Sequence, residues 1–351
     1  MVEGTKGPTE PTPSPVSVIV VDVEVLKKAV LLACRAPSVH NSQPWRWVAE
    51  VDPEKSTVHL FVDRRRKVPA TDHSGREAIL SCGAVLDHLR IAMTAAQYQT
   101  SISRFPNPND PSHLATVEFS PIDHVTEAQR DRVRAMLRRH TDRLPFGAPT
   151  DWQRFEPVLR STLNEDVAML DVLSDDQRPY LVEVSQLSEA FRRDDPAYHV
   201  ELQWWTASFA LTQGMPASAL LSVNERRRVD IAREFPIRNH QDRRPEMNAD
   251  CSKILVLSTP DDTRADVLRC GEALSTVLVE CTMAGMATCT LTHLIESGES
   301  RDIVGGLIGR RGEPQVLIRV GTAPPMESPP AHTPRLALDS VLKIRQMPEE
   351  G

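Results

Sequence analysis

The 351-residue sequence lacks the features that mark several specialised classes of protein. Its six cysteines form no Cys-x-x-Cys pair and have no metal-ligand spacing with histidine, so we expect free thiols. Its longest apolar runs, such as Val16–Val21, are far shorter than the roughly 20 residues of a membrane-spanning helix. A net charge of −7 provides no overall basic field to attract nucleic acid or an anionic membrane surface. A small molecule is therefore the expected partner, with no metal, nucleic acid or membrane.

The remaining composition is that of an ordinary soluble protein. Hydrophobic residues make up 40% and charged residues 25% of a chain long enough for two domains. Four prolines lie at the start of the chain, which has neither the charged beginning nor the apolar middle of a signal peptide. We therefore expect a disordered tail over residues 1–17 and a cytoplasmic location.

A polar loop follows the first predicted helix, whose apolar spacing covers Val23–Ala33. Between Pro37 and Pro44, the chain places five hydrogen-bonding side chains in six positions: Ser38, His40, Asn41, Ser42 and Gln43. Such a set favours a loop that binds a polar, planar ligand. An ordinary helix-to-strand turn also fits, because Pro, Ser and Asn are common in turns.

A second polar segment, residues 138–146, follows another predicted helix at residues 127–139. It places four cationic or potentially cationic side chains in six positions: Arg138, Arg139, His140 and Arg143. Burial of these groups would require an anion to balance them. An exposed helix end fits equally well, because cations also favour the C-terminal end of the helix dipole.

Two long apolar segments, residues 76–97 and 264–285, share a pattern. Each has a Cys-Gly pair followed by an apolar face and a methionine among small residues, and the glycines are 188 positions apart (271 − 83). Strand-like segments flank both. The pattern predicts a tandem duplication, with one half at residues 18–125 and the other at residues 126–345.

The loop at residues 37–45 closely resembles the Pro-Ser-x-x-Asn-x-Gln-Pro-Trp signature of the FMN-dependent nitroreductases. With Asp72-His-Ser-Gly-Arg76 and an interrupted second half, the chain most resembles the Acg-type, dormancy-linked tandem members of that family. The resemblance implies an α+β fold in which two nitroreductase-like halves form a pseudo-dimer. Each half would have a mostly antiparallel sheet wrapped by helices, and the halves would pack through helices 78–95 and 267–284. Such a chain is expected to be a monomer or a weak homo-oligomer.

The same resemblance implies one FMN at the interface of the halves. Arg139, Arg143 and Arg335 would bind the phosphate, and Thr141 the ribityl chain or pyrimidine edge. Thr333 stands where the family has a basic residue. The other cofactor-binding residues implied are Pro37, Ser38, His40, Asn41, Gln43, His140, Thr292 and His293. No catalytic residue and no metal ligand is assigned.

An insertion near residues 202–238 bears on whether a bound flavin would turn over. Its apolar residues include the pair Trp204-Trp205, which we expect to pack on the core or on a ligand, and Phe209, Met215 and Leu220. As a lid, the segment would shield FMN, leave a slow or inactive reductase and favour FMN sequestration. As simple core packing, it would be compatible with an active reductase that uses NAD(P)H to reduce nitro compounds or quinones.

Overall fold

The computed structural model describes residues 20–207, 212–324 and 333–346. The predicted tail at residues 1–17 and Phe209 lie outside the described residues. The helices are α1 (Val23–Ala33), α2 (Arg76–Ala95), α3 (Glu127–Arg138), α4 (Trp152–Ser161), α5 (Arg178–Arg192), α6 (Pro196–Trp205), α7 (Val223–Arg227), α8 (Arg264–Met283), α9 (Gly298–Leu307) and α10 (Leu338–Val341). The strands are β1 (Trp45–Val51), β2 (Ser56–Val62), β3 (Tyr98–Arg104), β4 (His113–Pro121), β5 (Met169–Leu173), β6 (Lys253–Thr259), β7 (Ala287–Leu291), β8 (Glu313–Gly321) and β9 (Leu342–Gln346).

Helices α2 and α8, which carry the repeated Cys-Gly pairs, cross at the centre of the molecule. A Cβ atom on Gly83 would lie 2.8 Å from the Cα of Gly271 and closer still to the carbonyl oxygen of Leu268. Only glycine allows this approach, which explains why the same pair recurs in both halves. Although α2 is long and apolar enough to cross a membrane, most of it is buried inside the protein, as a core helix would be.

The described strands form two separate sheets. The first has the strand order β3-β4-β2-β1-β9 and the second the order β5-β6-β8-β7. All neighbouring strands are antiparallel except β1 and β9, which are parallel. A continuous core joins residues of both sheets with α2 and α8. The predicted α+β fold, built as an internal pseudo-dimer, is confirmed.

The last strand links the two expected halves. β9, at the end of the expected second half, pairs with β1 of the first sheet, so that Leu342 lies beside Trp47. The apolar pattern of a short strand does not specify which sheet it joins. The C-terminal segment therefore ties the two halves together.

The insertion is mostly irregular, with α6, α7 and a short 3-10 helix at Ala217–Ala219. Trp205 is buried, whereas Trp204 is 54% exposed. Successive residues of one helix point to different faces, so Trp205 packs into the core while Trp204 lies at the surface of the protein. Met215 and Leu220 are buried as expected.

Candidate ligand site between the two halves

Two adjoining cavities lie where the first-half loop meets the second half. Both are lined by Pro37, Ser38, Thr141 and Arg143. The first cavity also contains His40, Thr292 and His293, together with side chains of α2, β7 and the insertion. The second is rich in arginine and also contains Asn41, His140 and Arg335. The structure thus brings nearly all the predicted cofactor residues to one composite site.

The loop at residues 37–44 has an unusual backbone. His40, Asn41 and Gln43 have φ angles of 50°, 55° and 52°, a region that non-glycine residues seldom occupy. Hydrogen bonds hold the loop, from the amide of Val39 to Ser81 Oγ (3.2 Å) and from the amide of Gln43 to Ser38 Oγ (3.0 Å). Strained backbone of this kind concentrates at ligand sites, so it favours a ligand-binding loop over an ordinary turn.

Two amide side chains of this loop hold other segments in place. Asn41 Nδ2 donates to the carbonyl oxygens of Gly214 (2.9 Å) and Pro334 (3.0 Å). Gln43 donates to the carbonyl of Thr212 (3.1 Å), and its Oε1 accepts from the amide of Leu336 (2.9 Å). Gln43 lines neither cavity, and Asn41 reaches only the second. Although Gln43 was predicted to bind the cofactor, the structure places it outside both cavities, where its side chain holds the insertion and the C-terminal segment.

The guanidinium groups of Arg35, Arg139 and Arg335 cluster in the second cavity, where the one acid among the described lining residues, Asp142, pairs with Arg244 instead. Arg139 is only 7% exposed and donates to the carbonyl of Arg35 (3.2 Å), while its Nε has no partner. Arg335 donates to the carbonyls of Cys34 (2.7 Å) and Arg35 (3.0 Å). Burial lowers the pKa of Arg139 to about 10 and that of Arg335 to about 9, and repulsion from Arg35 adds to both shifts. A cavity with this uncompensated positive charge is suited to a strongly anionic group.

The remaining predicted residues of this segment have different surroundings. Arg143 lines both cavities, lies over the ring of Phe235 at 5.1 Å and contacts Met215 Sδ at 3.0 Å. Burial also lowers its pKa. Thr141 is held beside Thr288 by a parallel bridge. His140 is exposed at the rim of the second cavity.

The first cavity contains neutral polar groups. Both ring nitrogens of His40 are buried without a partner, and burial holds its pKa well below the usual range. His293 contacts Ser185 Oγ through Nε2 (2.8 Å), while its Nδ1 is unpaired. Thr292 Oγ1 donates to Glu296 (2.8 Å). Unpaired buried groups of this kind need partners that a bound ligand can supply.

Several lining residues were missed from the sequence. Arg35 and Glu77 looked like ordinary residues at helix ends, and Arg233 and Phe235 lie in an irregular segment without a recognisable motif. The only available signal was that Arg35 immediately precedes the polar loop.

The insertion forms one wall of both cavities. Its residues at the first are Leu221, Arg226, Ala232, Arg233, Phe235 and Ile237, and those at the second include Met215, Pro216, Ser218 and Ala219. Arg233 fixes the segment by donating to Tyr198 Oη (2.9 Å) and pairing with Glu296. Just beyond the insertion, buried Arg244 pairs with Asp142 at 2.5 Å. Buried ion pairs within the insertion and just after it therefore hold this wall against the rest of the second half.

The chain was compared with known proteins. No family model matches it. The uncharacterized protein Rv3127 of Mycobacterium tuberculosis is 69% identical over 327 residues, which cover 93% of this chain and 95% of the relative. "Putative NAD(P)H nitroreductase acg" of the same organism is 55% identical over 325 residues, covering 93% of this chain and 97% of the relative. Among solved structures, the chain is similar to the FMN-dependent nitroreductase NfnB from Mycobacterium smegmatis in complex with NADPH, with 17% sequence identity and a TM-score of 0.32. The match covers 56% of this chain and 89% of the NfnB chain. From its similarity to Acg over nearly the full length of both proteins, the chain belongs to the nitroreductase family as an Acg-type member.

Proposed function

We propose that this protein binds one FMN per chain at the interface of its two halves, residues 18–125 and 126–345. The observation that carries the proposal is the uncompensated cluster of Arg35, Arg139 and Arg335. A phosphate dianion balances such a cluster, and guanidinium groups form strong paired hydrogen bonds with its oxygens. The second cavity would therefore hold the phosphate and the ribityl chain.

The first cavity would hold the isoalloxazine ring, the planar part of FMN that carries hydride chemistry when bound. Ser38 and Thr141, shared by both cavities, are suited to the junction of chain and ring. Polar groups without a protein partner line the first cavity: both ring nitrogens of His40 and Nδ1 of His293. The Arg143 guanidinium contacts a weak acceptor, Met215 Sδ, and is available to the ligand as well. A ligand with an anionic end and a flat polar end matches both cavities at once.

We further propose that the insertion near residues 202–238 shields the flavin. It forms a wall of both cavities and is held in place by Arg233, a residue that is only 7% exposed. A nicotinamide and an electron acceptor must each reach the ring, so a fixed wall slows both steps. The protein would then be a slow or inactive reductase that sequesters FMN in the cytoplasm, as a monomer or weak homo-oligomer.

The alternative is an active NAD(P)H-dependent reductase of nitro compounds or quinones. It is favoured by the name of the relative Acg and by the NADPH complex of NfnB. Mixing the FMN-loaded protein with excess NADPH or NADH in an anaerobic stopped-flow instrument separates the two. Bleaching within seconds, followed by reoxidation with a nitroaromatic compound, supports the active reductase. Absence of bleaching by either nucleotide, while dithionite still reduces the flavin, supports sequestration.

A further inference from the structure

Glu77 is a buried carboxyl group on the wall of the first cavity. It lies in the first turn of α2, is only 4% exposed and lines the cavity beside Ser38 and His40. Its carboxyl oxygens accept no hydrogen bond from the described residues around it. A buried polar group without a partner is costly, so this side chain is placed for a ligand.

The charges around Glu77 disfavour its ionised form. Burial raises the pKa of Glu77 well above the usual range, and the carboxylates of Glu296 and Asp72 raise it further. Asp72 belongs to the loop before α2 and accepts a hydrogen bond from the amide of Ala78 (3.0 Å). Glu296 lies on the loop after β7. Burial is the largest cause, because Glu296 is itself paired with Arg192 and Arg233, which offset part of its charge.

The nearby cations act in the opposite direction but are already engaged. Arg76 pairs with Asp262, and Arg233 pairs with Glu296. Burial holds the pKa of His293 well below its usual range, as for His40, so neither ring supplies a positive charge near neutral pH. Arg143, Arg226 and Arg319 also line this cavity, and two of them are paired elsewhere, Arg226 with Glu234 and Arg319 with Asp250.

We propose that Glu77 faces the bound cofactor as a neutral carboxylic acid and donates a hydrogen bond to an acceptor atom of its planar ring. The inference rests on the proposed function and assigns a ligand-selecting residue within it. A carboxylate can only accept hydrogen bonds, whereas the protonated acid supplies a donor. A neutral group also avoids repelling the negative charge that a flavin ring acquires on reduction. Glu77 would therefore select planar ligands with an acceptor atom on the facing edge.

The test measures the FMN dissociation constant of the wild-type, Glu77→Gln and Glu77→Leu proteins over a range of pH. Glutamine keeps a donor, so its affinity should stay close to that of the wild type, whereas leucine should bind about tenfold more weakly. Raising the pH through the pKa of Glu77 should weaken FMN binding by the wild type more than by Glu77→Gln, in which only the loss of the Arg335 charge remains. Glu189→Gln is the matched control, because Glu189 is also a buried glutamate with an unpaired oxygen but lines neither cavity.

A second measurement is independent of FMN. The infrared spectrum of the wild-type protein minus that of Glu77→Gln should contain the carbonyl stretch of a protonated carboxyl group at neutral pH. Absence of this band, wild-type affinity in Glu77→Leu, or an equal loss of affinity with rising pH in Glu77→Gln and the wild type would each overturn the inference. If the wild-type protein binds no FMN at all, the proposed function itself fails. If it binds FMN and only the Glu77 variants behave unexpectedly, this inference alone fails.

Discussion

Replacing Arg233 with methionine removes the main anchor of the insertion and should unshield the flavin. The Arg233 guanidinium donates to Tyr198 Oη (2.9 Å) and Thr292 Oγ1 (3.0 Å) and pairs with Glu296, whose side chain is 2% exposed. Loss of one partner from a buried ion pair costs about 3–5 kcal/mol. Because Glu296 keeps its second partner, Arg192, we take the lower bound of about 3 kcal/mol.

This cost sets the size of the expected effect. We assume that this free-energy cost destabilises only the closed position of the insertion. Since about 1.4 kcal/mol corresponds to a tenfold change in an equilibrium constant, the open position should become about 100-fold more populated. NADPH should then bleach the flavin of Arg233→Met about 100-fold faster than that of the wild type, as measured by anaerobic stopped-flow absorbance. Flavin content and melting temperature, measured first, establish that the variant is folded and loaded.

The matched control is Arg104→Met. Arg104 pairs with the largely buried Glu272 of α8 at 2.7 Å, and it lines neither cavity. This variant should lose comparable stability without faster bleaching. If loaded, folded Arg233→Met bleaches at the wild-type rate, or if Arg104→Met bleaches equally fast, the insertion is not the barrier and the shielding hypothesis is wrong.

Three further expectations follow from the same contacts. Arg139→Ala combined with Arg335→Ala should lower FMN affinity at least 100-fold, because each charged hydrogen bond contributes about 1.5–3 kcal/mol. Gel filtration of this double variant should yield nearly colourless protein. Full flavin occupancy would show that the phosphate binds elsewhere. Because burial lowers the pKa of Arg335 to about 9, below its unfolded value, the folded cavity loses this charge as the pH rises past about 9. The rise in melting temperature that inorganic phosphate gives the flavin-free protein should therefore shrink above that pH, and a constant rise would contradict it. Gly83→Ala should lower the free energy of unfolding in urea by about 1–3 kcal/mol, because its Cβ would overlap α8. The control, Gly306→Ala, adds a Cβ at an exposed position in open space and should leave the free energy of unfolding unchanged. Equal stability of the two variants would contradict the close crossing of α2 and α8.

Local pattern was sufficient to predict helices α1, α2, α3 and α8 and the main motifs, but not α4, β5 or α9. The apolar spacing of α1 gave its bounds, Val23–Ala33, and the repeated Cys-Gly pairs predicted both central helices. The two glycines could be interpreted as sites of close helix packing, because a close crossing of helices requires small residues that are visible in the sequence. By contrast, the roles expected of Arg139 and Arg335 came from the family resemblance and not from local pattern.

Contacts between distant segments were beyond sequence reasoning. The amide of Leu336 and the side chain of Gln43 are 293 positions apart, and nothing local to Gln43 indicates that pairing. The choice of sheet by β9 depends in the same way on the path of the C-terminal segment. Arg35 and Glu77 became site residues only because the fold brings α1, α2 and the C-terminal segment to the same two cavities.

The central claim is one FMN per chain, held between the two halves. It is tested most directly by purifying the protein after expression with riboflavin, denaturing it, and quantifying the released flavin by chromatography against the protein concentration. We expect FMN at a ratio approaching one per chain, because the arginine cluster of the second cavity adjoins the first cavity between the two halves. Two FMN per chain, FAD in place of FMN, or a flavin-free protein that fails to take up added FMN would contradict the claim.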